Sequence, residues 1–343
     1  MNSDSLHSEN EFPQPTYDEF KKNRPAWTTS IRRELEYIFF RFGLYLGEKL
    51  SISQLQKFGL AIGNFAYHVL RKDRGIVIKQ LKLIFPELNN EKLEQWTREC
   101  FRHFGQMLFE FLSLPKIIND QENLIRIDNE AALMNAVNAG NGVILLGMHM
   151  GNWELITAYA KRTGLFMTAA TANFPDQRIN QLMIRQRKLV NMEIMPRGTG
   201  MSSRKLFRCL KKKNILILII DQDTNVPSTW VPFFGIPSKT PVGASVFALK
   251  TGASVVSYNV IRENDGTFRL KFETLGMFDR SHPSMEQDVY SVTRKINKHL
   301  EQRIRENPQQ WAWFHRRWRH RPSVEELKKM NELEQNEKRT QPS

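Results

Sequence analysis

The stretch Gly142–Leu155, GVILLGMHMGNWEL, constrains the fold more than any other part of the chain. Val143–Leu146 is a short run without a polar residue, which suits a strand buried on both faces. The pattern then turns to His149, Met150, Gly151, Asn152, Trp153 and Glu154, and apolar positions recur at helical spacing through Tyr159 and Ala160. This predicts strand, tight turn and helix. Asn152 is the expected N-cap and Glu154 lies in the first helical turn, where the macrodipole favours a carboxylate. His149 stands at the strand's carboxyl end, the place where open α/β sheets assemble their chemistry. The strand–helix corner can fold Glu154 back onto the His149 imidazole, fixing the tautomer and leaving the other ring nitrogen to take a proton. The same residues also read as a packed histidine beside Trp153, with no catalytic role.

Further strands are expected at Leu124–Ile127, Leu165–Ala169, Ile215–Ile220, Ser254–Arg262 and Thr267–Phe272, the last two flanking an Asn264-Asp265-Gly266 turn. Helical patterns alternate with them at Trp153–Thr163, Asp176–Asn191, Ser202–Lys212, Val242–Thr251 and Met285–Arg305. Alternation with a late hairpin implies an α/β fold, a mixed β-sheet covered by helices on both faces. Upstream, residues 31–71 read as two helices broken near Ser51–Ser53, followed by a helix over Glu91–Leu112 capped by Asn90. The expected organisation is a disordered leader over 1–30, an N-terminal helical segment over 31–114, the α/β domain over 115–322 and a charged tail over 323–343.

A net charge of +14 points to a polyanionic partner: nucleic acid, an anionic membrane face or a phosphorylated substrate. Cys100 and Cys209 stand far apart with no metal or redox spacing, which fits a reducing compartment. The leader has no apolar core of a signal peptide. Phe58–Leu70 is uncharged but falls short of the ~20 apolar residues that span a bilayer. The first helix sets Phe, Tyr and Leu among Arg32, Arg33, Arg41 and Lys49, a composition that suits a membrane-associating helix at an interface and equally an amphipathic helix packed on the domain.

Four other constellations bear on function. Asp221-Gln222-Asp223 follows an apolar strand, so it delivers polar groups to the same sheet edge as His149. Such a pair of aspartates can also hold a divalent metal against a sugar-nucleotide diphosphate, or simply cap a turn. Phe233, Phe234 and Gly235 sit in a Pro/Gly loop that runs past Thr240 into the next helix; two adjacent Phe form a hydrophobic plug or line a slot for an apolar chain. The basic helix face around Arg204 is either solvated or able to meet an acidic carrier. Trp311–Arg321 interleaves Trp313, Phe314 and Trp318 with Arg316 and Arg317. It can grip phosphate at a membrane headgroup layer; no nucleic-acid-binding motif accompanies it.

The His149-x4-Glu154 spelling, HMGNWE, resembles the His-x4-Asp/Glu motif of glycerolipid acyltransferases, and in particular the late acyltransferases of lipid A biosynthesis. IFPELNNEKL at Ile84–Leu93, DQD at Asp221–Asp223, PFFG at Pro232–Gly235 and NPQQWAWFHRRWR at Asn307–Arg319 match in order, so the resemblance covers roughly residues 35–320. It implies acyl transfer from an acyl-acyl carrier protein or acyl-CoA to a hydroxyl of a membrane glycolipid, with His149 as general base and Glu154 as its partner. Neither a metal nor another cofactor is implied, and the expected place is the cytoplasmic face of a bacterial inner membrane, peripheral or monotopic. Asn152, Trp153, Arg204, Asp221, Gln222, Phe233, Phe234, Gly235, Thr240, Arg316 and Arg317 would contact substrate. A lysophospholipid or other glycolipid acceptor, and a metal-dependent glycosyltransferase using Asp221 and Asp223, are the alternatives. One departure stands out: the family's Tyr-Arg pair after the following strand is replaced by Thr168-Ala169-Ala170-Thr171-Ala172-Asn173, which alters the substrate-side contacts.

Overall fold

The computed structural model describes residues 26–171, 176–187, 192–196 and 200–340; the expected disordered leader falls almost wholly outside them. The chain divides after Phe42 into two compact units. In the first, helix α1 (Ala26–Lys49) begins, and Ile31, Leu35, Ile38 and Phe42 are exposed along it. Among the described residues, no helix is long and apolar enough to cross a membrane.

The second unit opens with α2 (Ile52–Val69), α3 (Arg71–Ile84) and α4 (Asn90–Leu112). Ser51 begins α2 through a reciprocal capping box with Gln54. The cap of α4 is Asn89, one residue before the expected Asn90, and its Oδ1 accepts from Lys92 N at 2.8 Å. Helices α2 and α4 touch backbone to backbone. A Cβ on Gly105 would lie 2.2 Å from Gly59 O, so only glycine permits that approach.

Among the described residues the central sheet has seven strands in the order β1-β9-β8-β2-β5-β3-β4. They are β1 (Ile125–Asp128), β2 (Val143–Gly147), β3 (Met167–Thr171), β4 (Met192–Pro196), β5 (Ile215–Ile219), β8 (Ser254–Arg262) and β9 (Phe268–Gly276). Only β8 and β9 pair antiparallel; every other neighbour is parallel. Helices α5 (Glu130–Asn138), α6 (Ile156–Thr163), α7 (Gln177–Arg187), α8 (Gly200–Lys211), α9 (Gly243–Thr251) and α10 (Met285–Glu306) flank it, and α11 (Val324–Thr340) follows. This is the mixed α/β architecture expected. Every residue of β2 is buried, as its unbroken apolar run requires.

Helix α5, strand β4 and a two-stranded ribbon escaped sequence reasoning. Strand β4 carries Glu193 and Pro196, too polar a run to stand out. The supposed Pro/Gly loop is a two-stranded ribbon, β6 (Ser228–Phe233) with β7 (Ile236–Pro241). Its turn places Phe234 and Gly235 at φ 54° and 76°, the positive pair a two-residue hairpin needs. Pro232, Pro237 and Pro241 suggested a loop, but both strands of an isolated ribbon are edges, where proline leaves no ladder bond unmade.

Candidate active site

Register decides what meets at the sheet's carboxyl edge. Strands β2 and β5 are neighbours with Gly147 opposite Ile219, so two residues further on His149 stands opposite Asp221. His149 Nδ1 lies 2.7 Å from Asp221 Oδ1, and the His149 backbone N–H donates to Oδ2, also at 2.7 Å. Trp311 Nε1 donates to the same Oδ2 at 2.8 Å. Asp221 is fully buried, while the His149 side chain keeps 22% exposure. Burial alone would push the Asp221 carboxyl up; the His149 charge and the hydrogen bonds from His149 and Trp311 overcome it and hold the group below the usual carboxylate range. A carboxylate accepts only, so Nδ1 carries a proton, and in the neutral form of the ring the lone pair is on Nε2.

The partner expected for the ring was Glu154. The hydrogen-bonded carboxylate at Nδ1 is that of Asp221, while Glu154 is buried in a 3₁₀ turn, Trp153–Leu155, whose Glu154 carbonyl accepts from Thr157 Oγ1 at 2.6 Å. Asn152 departs from its expected role as well. It makes no side-chain cap; it is fully buried and its Nδ2 donates to Glu110 Oε2 at 3.0 Å, so substrate contact through this side chain has no opening. The backbone amides from His149 to Asn152 are all engaged, with Asp221, Met148 O, Gln310 O and Val260 O respectively.

Trp153 sets its ring edge-on against His149, with centroids 5.0 Å apart. Phe104 lies 6.4 Å from Trp153 and 5.1 Å from Phe314, giving a half-buried aromatic wall beside the imidazole. Phe104 and Phe314 were missed as site residues. In the sequence they belong to a helical core stripe and a tryptophan-rich run, and nothing local marks them as neighbours of His149.

The residues expected to line an acyl slot or grip phosphate are placed differently. Phe233 is fully buried against Trp311 and Trp318, and Thr240 is fully buried, whereas Phe234 and Gly235 sit at the ribbon turn with partial or full exposure. Gln222 is half-buried and Arg204 is exposed on α8. Arg317 is fully buried. Its Nη1 donates to Lys239 O at 2.7 Å, its Nη2 to Thr240 Oγ1 at 2.6 Å, and its guanidinium lies 4.8 Å from the Phe233 ring centre. Burial lowers its pKa to about 10. Arg317 therefore pins the β6–β7 ribbon instead of facing a headgroup, and Arg316, half-buried, is left as the accessible member of the expected pair. Because Trp311, Trp313 and Trp318 are buried too, they neither rest in a headgroup layer nor offer a stacking platform for nucleic acid.

An expected result follows for Arg317→Met. Losing its charge-assisted hydrogen bonds, partly offset by relief of desolvation, should lower stability by about 3 kcal/mol. Urea denaturation reads this directly. An unchanged midpoint combined with a raised KM for lipid would return Arg317 to phosphate recognition.

Asp223 is equally committed: His320 Nδ1 lies 2.6 Å from its Oδ2 and Arg319 Nε 3.5 Å from it. Among the described residues no group of three or more His, Cys, Asp or Glu is arranged to hold a metal ion. The metal-binding reading of the Asp221/Asp223 pair thus draws no support from its surroundings. Burial holds His315 neutral, with its pKa near 4, and its buried Nε2 has no hydrogen-bond partner.

The family model described as bacterial lipid A biosynthesis acyltransferase matches residues 27–320. The chain is 27% identical over 289 residues to the lipid A biosynthesis palmitoleoyltransferase of Escherichia coli (strain K12), covering 81% of this chain and 89% of that one. It is 23% identical over 287 residues to the lipid A biosynthesis lauroyltransferase of the same strain, covering 81% and 90%. To the phosphatidylinositol mannoside acyltransferase of Mycobacterium tuberculosis (strain ATCC 25618 / H37Rv) it is 26% identical over 227 residues, covering 63% and 67%.

Proposed function

Because this chain belongs to the bacterial lipid A biosynthesis acyltransferase family, we propose that it moves a fatty acyl chain from an acyl thioester to a hydroxyl of a lipid A precursor. The observation that carries the mechanism is the Asp221–His149 hydrogen bond at adjoining strand ends. With Nδ1 held by Asp221, His149 Nε2 takes the proton of the acceptor hydroxyl as its oxygen attacks the thioester carbonyl. The tetrahedral intermediate collapses by breaking the C–S bond, and the imidazolium returns its proton to the departing thiolate. Asp221 stabilises the imidazolium between the two steps, and Glu154 supports the corner that carries it.

Direct transfer fits the nucleophiles available. Burial pushes the Cys100 and Cys209 thiols up, away from the thiolate form an acyl-enzyme would need. The wall of Trp153, Phe104 and Phe314 suits the acyl chain beside the base. Arg204, exposed on α8 with Lys205, suits an acidic acyl carrier protein or the phosphates of CoA. Ile31, Leu35, Ile38 and Phe42, exposed at helical spacing, suit a peripheral or monotopic position on the cytoplasmic face of an inner membrane. Another glycolipid acceptor is the second reading, favoured by the absence of a Tyr-Arg pair at residues 168–173.

Incubation of the protein with a lipid A precursor, lauroyl- or palmitoleoyl-acyl carrier protein and EDTA, followed by mass spectrometry, tests this. The expected product is the precursor heavier by a single acyl chain. Product formed only after Mg²⁺ or Mn²⁺ is restored, or acylation of phosphatidylinositol mannoside but not of the precursor, would overturn the metal-free or the lipid A assignment respectively.

A further inference from the structure

Asp221 grips the His149 loop from the β5 side. A second polar cluster grips it from the opposite side, and neither spacing nor motif points to it. Arg262, the last residue of β8, donates Nε to Glu110 Oε1 and Nη2 to Glu110 Oε2, both at 2.6 Å. Its Nη1 lies 2.6 Å from His103 Nδ1. Glu110 is fully buried, and its remaining capacity accepts Gln56 Nε2 at 2.9 Å and Asn152 Nδ2 at 3.0 Å. Because a guanidinium only donates, His103 Nδ1 must accept, and Nε2 must carry the proton it donates to Gly151 O at 3.2 Å. Burial and the neighbouring Arg262 charge keep His103 neutral, consistent with that tautomer.

Both outputs of the cluster go to Gly151 and Asn152, midway between His149 and Glu154. The other sides of these residues are held too: Gly151 N donates to Gln310 O and Asn152 N to Val260 O, each at 2.9 Å. Gly151 has φ +60°, and a Cβ there would lie 1.6 Å from Val260 O, so the loop rests directly on the β8 backbone. A buried ion pair is weak evidence for stability, since desolvation offsets the attraction. What distinguishes this one is where its hydrogen bonds lead.

We propose that His103, Glu110 and Arg262 are positioning residues for acyl transfer, fixing the Gly151–Asn152 turn so that His149 and the Trp153–Glu154 turn meet the substrate in one geometry. The inference rests on the reading of His149 as the base. Small displacements of a reacting group lower turnover without altering affinity.

His103→Ala leaves the Glu110–Arg262 pair intact and releases Gly151 O. With the lipid A precursor and lauroyl-acyl carrier protein as substrates, kcat should fall roughly 10–100-fold while both KM values stay within about twofold. His103→Gln offers a carboxamide oxygen to Arg262 and an N–H to Gly151, and should restore most of the loss. Wild-type kcat in folded His103→Ala, a change in KM alone, or failure of the glutamine to rescue would overturn the proposal. Should His103→Ala not fold, Asn152→Ala carries the same expectation and the same refutation. His149→Ala, assayed alongside, separates the two readings. Wild-type turnover there removes the base assignment and this inference with it, whereas a dead His149→Ala beside a wild-type His103→Ala removes this inference alone.

Discussion

His149→Ala should lower kcat by ~10²–10⁴-fold, the usual contribution of a positioned general base. The protein should remain folded, because the imidazole is partly exposed and its removal leaves Asp221 with the donors from His149 N and Trp311 Nε1. KM for the thioester should change little, since the proton is taken only as the bond forms. Steady-state kinetics on protein checked by circular dichroism reads this. Wild-type turnover in folded His149→Ala would remove the histidine from the chemistry and leave the chain's transfer mechanism to be sought elsewhere on the sheet edge.

Asp221→Asn is the second large effect and decides between two carboxylates. Asparagine is nearly isosteric with Asp221 but brings an N–H₂ group where the structure has only acceptors. It must lose the bond to the ring, turn its amide against His149 Nδ1, or fail to accept from both His149 N and Trp311 Nε1. In the Ser-His-Asp triad the corresponding change traps the wrong tautomer and lowers kcat by about 10⁴. A fall of ~10²–10⁴-fold is expected here on the same grounds. Glu154→Gln should lose less, because Nδ1 retains its carboxylate. The order of the two losses is the readout. If Glu154→Gln is the more damaging of the two, the carboxylate five residues after the histidine matters more to the reaction than the one bonded to its ring, and the role assigned to Asp221 falls.

Much of the fold is written locally. Ile215–Ile219 and Val143–Gly147 are apolar without interruption, which announces strands buried on both faces, and Asn264-Asp265-Gly266 announces the turn between β8 and β9. Ser254–Arg262 has the bounds its β-branched run suggests. These are signals over a few residues, and covalent neighbours carry them. His149 was legible for the same reason: a polar turn directly after a buried strand stands out in one dimension.

Its partnership was not legible. Spacing along the chain offered Glu154, five residues away, because local distance is all that spacing measures. Asp221 is seventy-two positions away and meets His149 only because β5 returns to lie between β2 and β3, in a register that brings Gly147 opposite Ile219. Arg317 shows the same limit in reverse. An arginine among tryptophans reads as a surface cluster, yet the β6–β7 ribbon closes over it and turns its donors inward to Lys239 O and Thr240 Oγ1. The sequence by itself determined most of the strands, most of the helices and the histidine, because hydrophobic period and turn chemistry act over a few residues. Strand order and burial, set by the packing of distant segments into one core, decided which carboxylate holds the imidazole, which arginine is hidden, and that His103, Glu110 and Arg262 close on the far side of the loop.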